Sequence, residues 1–477
     1  MTGLKKGGGS LPFLLKNIMT SRKTDLLLFL LAAGWLASLV YFAGGMPPVI
    51  YNSQRFLSLL LLSGLVIIGL HRPVPALSSA SGGLAGVILL AVLFVGVVTG
   101  RNWYFWREVC LILLVIMAAR SVAGVRLIAG RQFDNAAMLG VPLICLGLGL
   151  IVLQSLFFYL YVGVLEWQLV FEAFFNVRYF SHLQGWSLLI LPAASLYFHD
   201  APGKRRLTLL VAALWWGLLF LSGSRSVLVA VIGALIGMWI LLPALRKAWW
   251  LAVAWSAGVG LLFYLGLLWL IHLLGLTLPS TMTFGRDWAA AGGRWGIWRH
   301  VWEGTMTAPW TGPGNHLLSC GTGFVVSHEH NIVLLLAAAL GWPVTLLIGA
   351  LVVSLLYQGV MFCRSHPDNP VAVGLLAVWL TVLIQSLFTG NYITPISMLF
   401  CALMLGWTWG YFSTGEPGQV SPVRRSLAWA LSGIVLAAVL FMMLVDIDMQ
   451  HALIFQGNKI YMNFSPRVWA MGDDWCP

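Results

Sequence analysis

Apolar runs of roughly twenty residues, the length an α-helix needs to cross a bilayer core, recur along this chain. They fall near 25–44, 56–70, 84–99, 105–119, 136–160, 183–198, 207–221, 226–243, 248–274, 330–358, 371–388, 393–412 and 426–445. In lipid every backbone N–H and C=O must be bonded internally, which helices achieve and open strands do not. The pattern predicts an all-α polytopic membrane protein with about 12–13 transmembrane helices, the last of them (426–445) the weakest. Composition agrees, since only 9% of the 477 residues are charged, against about a quarter in soluble proteins. No period of 20–50 residues repeats, which excludes a solenoid.

The charges orient the spans. Residues 1–24 carry Lys5, Lys6, Lys16, Arg22 and Lys23 and read as a cytoplasmic N-terminus rather than a cleaved signal peptide, because no apolar stretch with a small-residue cleavage site precedes Asp25. Basic residues then mark alternate gaps: Arg120, Arg126 and Arg131; Lys204, Arg205 and Arg206; Arg246 and Lys247; Arg364; Arg424 and Arg425. These gaps are expected on the cytoplasmic side. Spans 1–9 then occupy 25–274, an outer loop 275–327, and spans 10–12 with the weak thirteenth 328–445, leaving an outer tail 446–477. Most of the net charge of +12 thus has a topological cause, which the outer arginines exceed, and it implies membrane lipids rather than nucleic acid as partners.

The outer loop is far longer than ordinary connections and rich in Gly, Trp, Thr and Arg, so it is expected to be ordered. In W-G-I-W-R-H-V-W, Trp295, Trp298 and Trp302 stand at helical spacing. They predict a helix lying in the interface plane, with Arg294 at its start; an ordinary aromatic belt would use the same residues.

Four arginines fall on the outer side: Arg178, Arg225, Arg286 and Arg294. Arg225 has no acidic neighbour and sits between two apolar runs, where a charge is costly and faces a partner or a wet cavity. Snorkelling to the interface is the plainer alternative. The outer acids (Glu166, Glu172, Asp287, Glu303, Glu329) form no Asp-x-Asp pair and no cluster for a divalent cation, so no metal or other cofactor is expected. Guanidinium forks match phosphate oxygens bidentately. The set points to an anionic, phosphorylated ligand at the outer face, where fixed cations can stabilise developing charge.

In S-H-E-H-N, 327–331, Ser327 is expected to cap the tenth span, with His328, Glu329 and His330 in its first turn. The helix dipole there disfavours imidazolium, and a neutral imidazole is what a general base needs. His330, deeper and followed by Asn331, is preferred to His328. Two readings compete: a zinc site using His300 or His316, although i and i+2 lie on different helix faces, and a plain interfacial histidine pair. Cys110, Cys145, Cys363 and Cys401 read as small buried hydrophobes, while Cys320 and Cys476 could pair in an oxidising compartment.

Taken in order, S-G-S-R-S at 222–226, G-G-R-W at 292–295 with Trp298 beyond it, Pro309 with G-P-G at 312–314, and H-N at 330–331 resemble the O-antigen ligase and polymerase superfamily over about 160–345. N-V-R-Y-F-S-H-L-Q-G-W-S, 176–187, is similar to a stretch of the same family. The resemblance implies a GT-C-type fold and an inverting, metal-independent glycosyltransferase at the periplasmic face of a Gram-negative inner membrane. Its donor would be an O-antigen glycan on undecaprenyl diphosphate. Carried over by position, Arg225 and Arg294 grip the diphosphate with Arg178 beside them, and His330 deprotonates the acceptor hydroxyl; His328, Arg286 and Asn331 are secondary. The sequence departs from the family pattern in the His328–Glu329 pair, which leaves the choice of imidazole open. Ligase, polymerase and protein O-oligosaccharyltransferase differ in acceptor. The short tail after the last span and the length of the outer loop favour the ligase, whose acceptor is lipid A–core. A flippase would use the same arginines, but no internal symmetry of the kind transporters show is found.

Overall fold

The computed structural model describes residues 47–69, 79–101, 103–163, 167–174, 177–245, 247–276, 294–314, 330–392, 394–413, 430 and 432–437. Among these the chain is helical and has no strands. In order it forms α1 (Pro47–Gly69), α2 (Ser79–Val98), α3 (Trp103–Ala129), α4 (Arg131–Val162), a short α5 (Trp167–Val170), a 3-10 turn (Glu172–Phe174), α6 (Val177–Ser187), α7 (Ile190–Tyr197), α8 (Pro202–Ser222), α9 (Arg225–Leu241), α10 (Lys247–Leu273), α11 (Arg294–Thr307), α12 (Ile332–Ser365), α13 (Pro370–Ser386) and α14 (Pro395–Phe412).

Seven of these helices are long and apolar enough to cross a membrane, and α1, α9 and α13 contain shorter apolar stretches. Their outward faces carry exposed Leu90, Phe94 and Val97 on α2, Leu150 and Phe157 on α4, and Leu262 and Trp269 on α10. Such a surface suits lipid and would not persist in water. The protein is a polytopic α-helical membrane protein. The expected first span (25–44) and most of the thirteenth lie outside the described residues.

Between apolar helices in lipid, close packing replaces the hydrophobic effect, and small residues let backbones approach. Gly217 of α8 and Gly260 of α10 meet where a Cβ on either would collide with the other helix, and Gly406 and Gly410 of α14 do the same against Ala119 and Ala123 of α3. Around these contacts Leu148, Trp215, Leu218, Trp249 and Leu375 are buried in one continuous core.

Two expectations need correction. The sixth span is not one helix: α6 and α7 are separate, with Leu188 and Leu189 between them. Pro192 lacks an N–H, and its ring would clash with the Leu188 carbonyl in a continuous helix, so the chain restarts with Pro192 in a first turn. The basic gap after α3 is also not a loop. Arg120 and Arg126 lie within α3 and Arg131 opens α4, with Gly130 alone between them. Ala and Arg are good helix formers, so the basic residues extend the helix instead of ending it.

Those helix ends converge. A cavity of about 620 Å³ is lined by Arg126, Arg131, Tyr197, Arg205, Asn369 and Tyr411, among others, drawn from α3, α4, α7, α8, the α12–α13 turn and α14. Here Asp134 accepts from Arg126 Nη2 at 3.0 Å and from the Trp407 indole at 2.9 Å, while Arg126 Nη1 donates to the Gly410 carbonyl. Four of the five basic gaps therefore share one end of the bundle, and the fifth, with Arg424 and Arg425, lies outside the described residues. The starts of α6, α9 and α12 and the end of α13 lie at the other end.

Candidate functional site

At that opposite end the candidate residues share a structural position. Gly223, left-handed at φ 66, ends α8, Ser224 is the N-cap, and Arg225 is the first residue of α9. Arg294 is the first residue of α11, and Arg178 the second of α6. A cation in a first helical turn opposes the helix dipole, which favours anions there by about 0.3–1 kcal/mol. Arg225 and Arg294 are half-buried and Arg178 is exposed.

The histidine differs from its expected setting. The N-cap of α12 is Asn331, whose Oδ1 accepts from the N–H groups of Val333 and Leu334 at 2.9 and 3.2 Å. His330 therefore precedes the helix, with φ 54, and is the one non-glycine residue at positive φ among those described. Asn ranks with Ser as a cap, and the apolar run begins directly after it, so the cap sits four residues later than Ser327. Asn331 has its oxygen committed to the cap and so fixes where His330 stands. Ser327, His328, Glu329 and Arg286 lie outside the described residues, as do His316, Cys320 and Cys476.

The arginine- and histidine-bearing elements are joined by contacts the sequence reading missed. Trp298 of α11 lies 6.3 Å, ring to ring, from Phe388 after α13. The next residue, Thr389, bonds through Oγ1 to His182 Nε2 at 2.9 Å, one turn beyond Arg178 on α6. Trp186 donates to the Asn391 carbonyl at 3.1 Å, and Asn391 Nδ2 donates to Gln385 Oε1 at 3.1 Å. Gly185 gives Gln385 room, since a Cβ there would strike its oxygen. His182, Gln184, Gln385 and Asn391 are all buried. Their signal was present as polar residues inside apolar runs.

α11 packs against the first turns of α12 through Ile297 and Val301 on Leu334 and Ala338. The tryptophan stripe flanks this face: Trp295 and Trp302 are exposed, and Trp302 meets Trp342 at 5.4 Å. Arg299 is exposed and engaged by Glu303 at 2.8 Å.

The segment after α11 enters a break in α12. Gly341 has φ 81 and ψ 165, and Pro343 follows. Pro343 cannot donate to the Ala339 carbonyl, and the Trp342 N–H turns away from Ala338 to bond Pro309 at 2.9 Å. The freed Ala338 carbonyl accepts from Gly314 N–H at 2.9 Å. Such replacement is required at membrane depth, where an unsatisfied backbone group costs several kcal/mol. Arg101, from the α2–α3 turn, seals the arrangement: its Nη2 lies 2.8 Å from the carbonyls of Thr311 and Gly312 and a longer 3.4 Å from that of Ala339. Burial draws its guanidinium below the ordinary value, yet arginine remains charged. Arg107, buried within the first turns of α3, is a second arginine the sequence reading passed over.

Of the cysteines, Cys145 and Cys363 are buried and Cys110 and Cys401 half-buried. Among the described residues no three His, Cys, Asp or Glu side chains gather in a metal-binding group. No protein-family model matches the sequence, and no curated protein matches it.

Proposed function

We propose that this chain is an O-antigen ligase: an inverting, metal-independent glycosyltransferase that moves a glycan from undecaprenyl diphosphate to lipid A–core at the periplasmic face of a Gram-negative inner membrane. The observation that carries the reading is shared placement. Arg178, Arg225 and Arg294 each lie in the first turn of a helix, and His330 directly precedes the cap of another, all at the end away from the basic cavity. Guanidiniums and positive helix ends together favour a phosphorylated anion. In this account the three arginines bind the donor diphosphate and neutralise charge as it leaves. His330 takes the proton of the attacking acceptor hydroxyl, the acceptor oxygen bonds to the anomeric carbon, and the bond to diphosphate breaks. The positive φ of His330 also supports the assignment, because strained non-glycine backbone persists where surrounding structure holds it and clusters at functional sites.

The test is expression in a Gram-negative strain that makes lipid-linked O-antigen but lacks its ligase. A restored lipopolysaccharide ladder on a gel is the expected result. A well-expressed, membrane-inserted protein that gives no ladder on a matching core contradicts the ligase assignment.

A further inference from the structure

Arg294 begins α11 and His330 directly precedes the cap of α12, two helices that pack together through Ile297 and Val301 against Leu334 and Ala338. Both helices end at the same place. α11 stops at Thr307, and 309–314 threads directly into the break at 338–342, where the first half of α12 also ends. Each functional residue is thus the far tip of an arm rooted in one knot of backbone hydrogen bonds. Arg294 lies roughly 20 Å along α11 from its root and His330 roughly 12 Å along α12, at about 1.5 Å per residue.

We propose that Arg101 is a positioning residue for the transfer reaction, latching the 309–314 segment into the α12 break so that His330 and Arg294 keep a fixed mutual placement. The proposal rests on the function proposed above. Arg101 belongs to neither arm, and its Nη2 reaches carbonyls on both sides of the knot: Thr311 and Gly312 on the return segment, Ala339 on α12. The return segment is shaped to receive it. Gly314 stands at φ 99, and a Cβ there would occupy the place of Arg101 Nη1; Gly312, at φ 73, has no room for a Cβ against the Ala338 carbonyl. Behind the turn that carries Arg101, Val95 and Phe105 pack on Leu340 and Val344, which anchors the latch to the second half of α12. A tilt of about 3° at the knot would move the tip of α11 by about 1 Å, a misplacement that can lower a rate about 100-fold. Arg178 and Arg225, two of the three arginines assigned to the donor, sit on elements that do not enter the knot, so donor binding should weaken only slightly when it loosens.

The experiment uses the full chain in nanodiscs, with Cys320 and Cys476 replaced by Ser and Thr311→Cys introduced as a reporter. Arg101→Ala and Arg101→Lys are compared for maleimide labelling at position 311, for melting temperature, and for transfer kinetics. For Arg101→Ala we expect labelling to accelerate at least about tenfold as the segment opens locally, kcat to fall about 100-fold, and donor KM to stay within about threefold. Arg101→Lys, which keeps several donors but not the planar fork, should recover part of both effects. Unchanged labelling in Arg101→Ala overturns the latch. Faster labelling with unchanged kcat overturns the positioning role, and so does a loss of kcat explained by a lower melting temperature or a matching rise in KM. If the unsubstituted chain transfers nothing, the functional reading fails with its positioning residue, while the latch is still decided by labelling.

Discussion

His182 and Thr389 share a 2.9 Å hydrogen bond in the buried interior although 207 residues separate them in the chain. The bond ties α6, which carries Arg178 on its outer turn, to the α13–α14 connection against which Trp298 rests through Phe388. Removing one partner of a buried pair strands the other, at a cost of about 1–3 kcal/mol. Thr389→Val should lower the melting temperature of the purified protein, and His182→Ala should lower it further. The double variant should lose less than the sum, as measured by thermal unfolding in nanodiscs. Additive losses would show that the pair is not coupled.

At the basic end, Asp134 holds both Arg126 and Trp407, and its carboxylate is only 7% exposed. A nearly buried ion pair is weak evidence of net stability, but breaking it by removing one partner typically costs about 3–5 kcal/mol. Asp134→Ala should therefore abolish a cooperative melt or sharply reduce membrane yield. Asp134→Ala with Arg126→Met should recover most of the loss. Equal yields for wild type and Asp134→Ala would contradict this account.

Gly341 has φ 81 and ψ 165, a backbone region reached essentially by glycine alone. A Cβ there would also meet the Trp310 carbonyl. Gly341→Ala should destabilise the protein by about 1–3 kcal/mol from strain alone, readable as a drop in melting temperature. Gly349, further along the same helix with open space around it, should accept Ala without loss.

Arg225 tests the chemistry of the anion site. Lysine keeps the charge but lacks the planar fork that pairs two phosphate oxygens at once. Arg225→Lys should raise donor KM about tenfold, equivalent to about 1.4 kcal/mol of binding, without altering insertion. A titration of transfer rate against donor concentration gives the answer, and an unchanged KM would remove Arg225 from the diphosphate site.

Much of this architecture was legible in the sequence, for identifiable physical reasons. Apolar length reports a span directly, so α2, α3, α4, α8, α10, α12 and α14 were visible. Of the basic residues that the positive-inside bias singled out, Arg126, Arg131 and Arg205 line one cavity. What failed depended on local competition. Pro192 broke a span whose hydropathy is continuous. Ser327 and Asn331 are equally good caps on paper, and the choice between them moves His330 out of the helix. Arg101 offered the same signal as Arg225, an arginine in an outer connection, but its carbonyl partners lie 210 and more residues away. Sequence proximity could not announce them.

The most direct measurement of the central claim is single-turnover transfer by the purified protein, with lipid-linked donor, lipid A–core acceptor and chelator present. His330→Ala and Arg225→Ala are compared with the unsubstituted chain at equal, monodisperse protein. The account predicts transfer by the unsubstituted chain with chelator present. It predicts a loss of about 10²–10⁴-fold in His330→Ala, the range a general base contributes, with the donor still bound. Transfer that proceeds at the unsubstituted rate in His330→Ala, or that requires an added divalent cation, would contradict it.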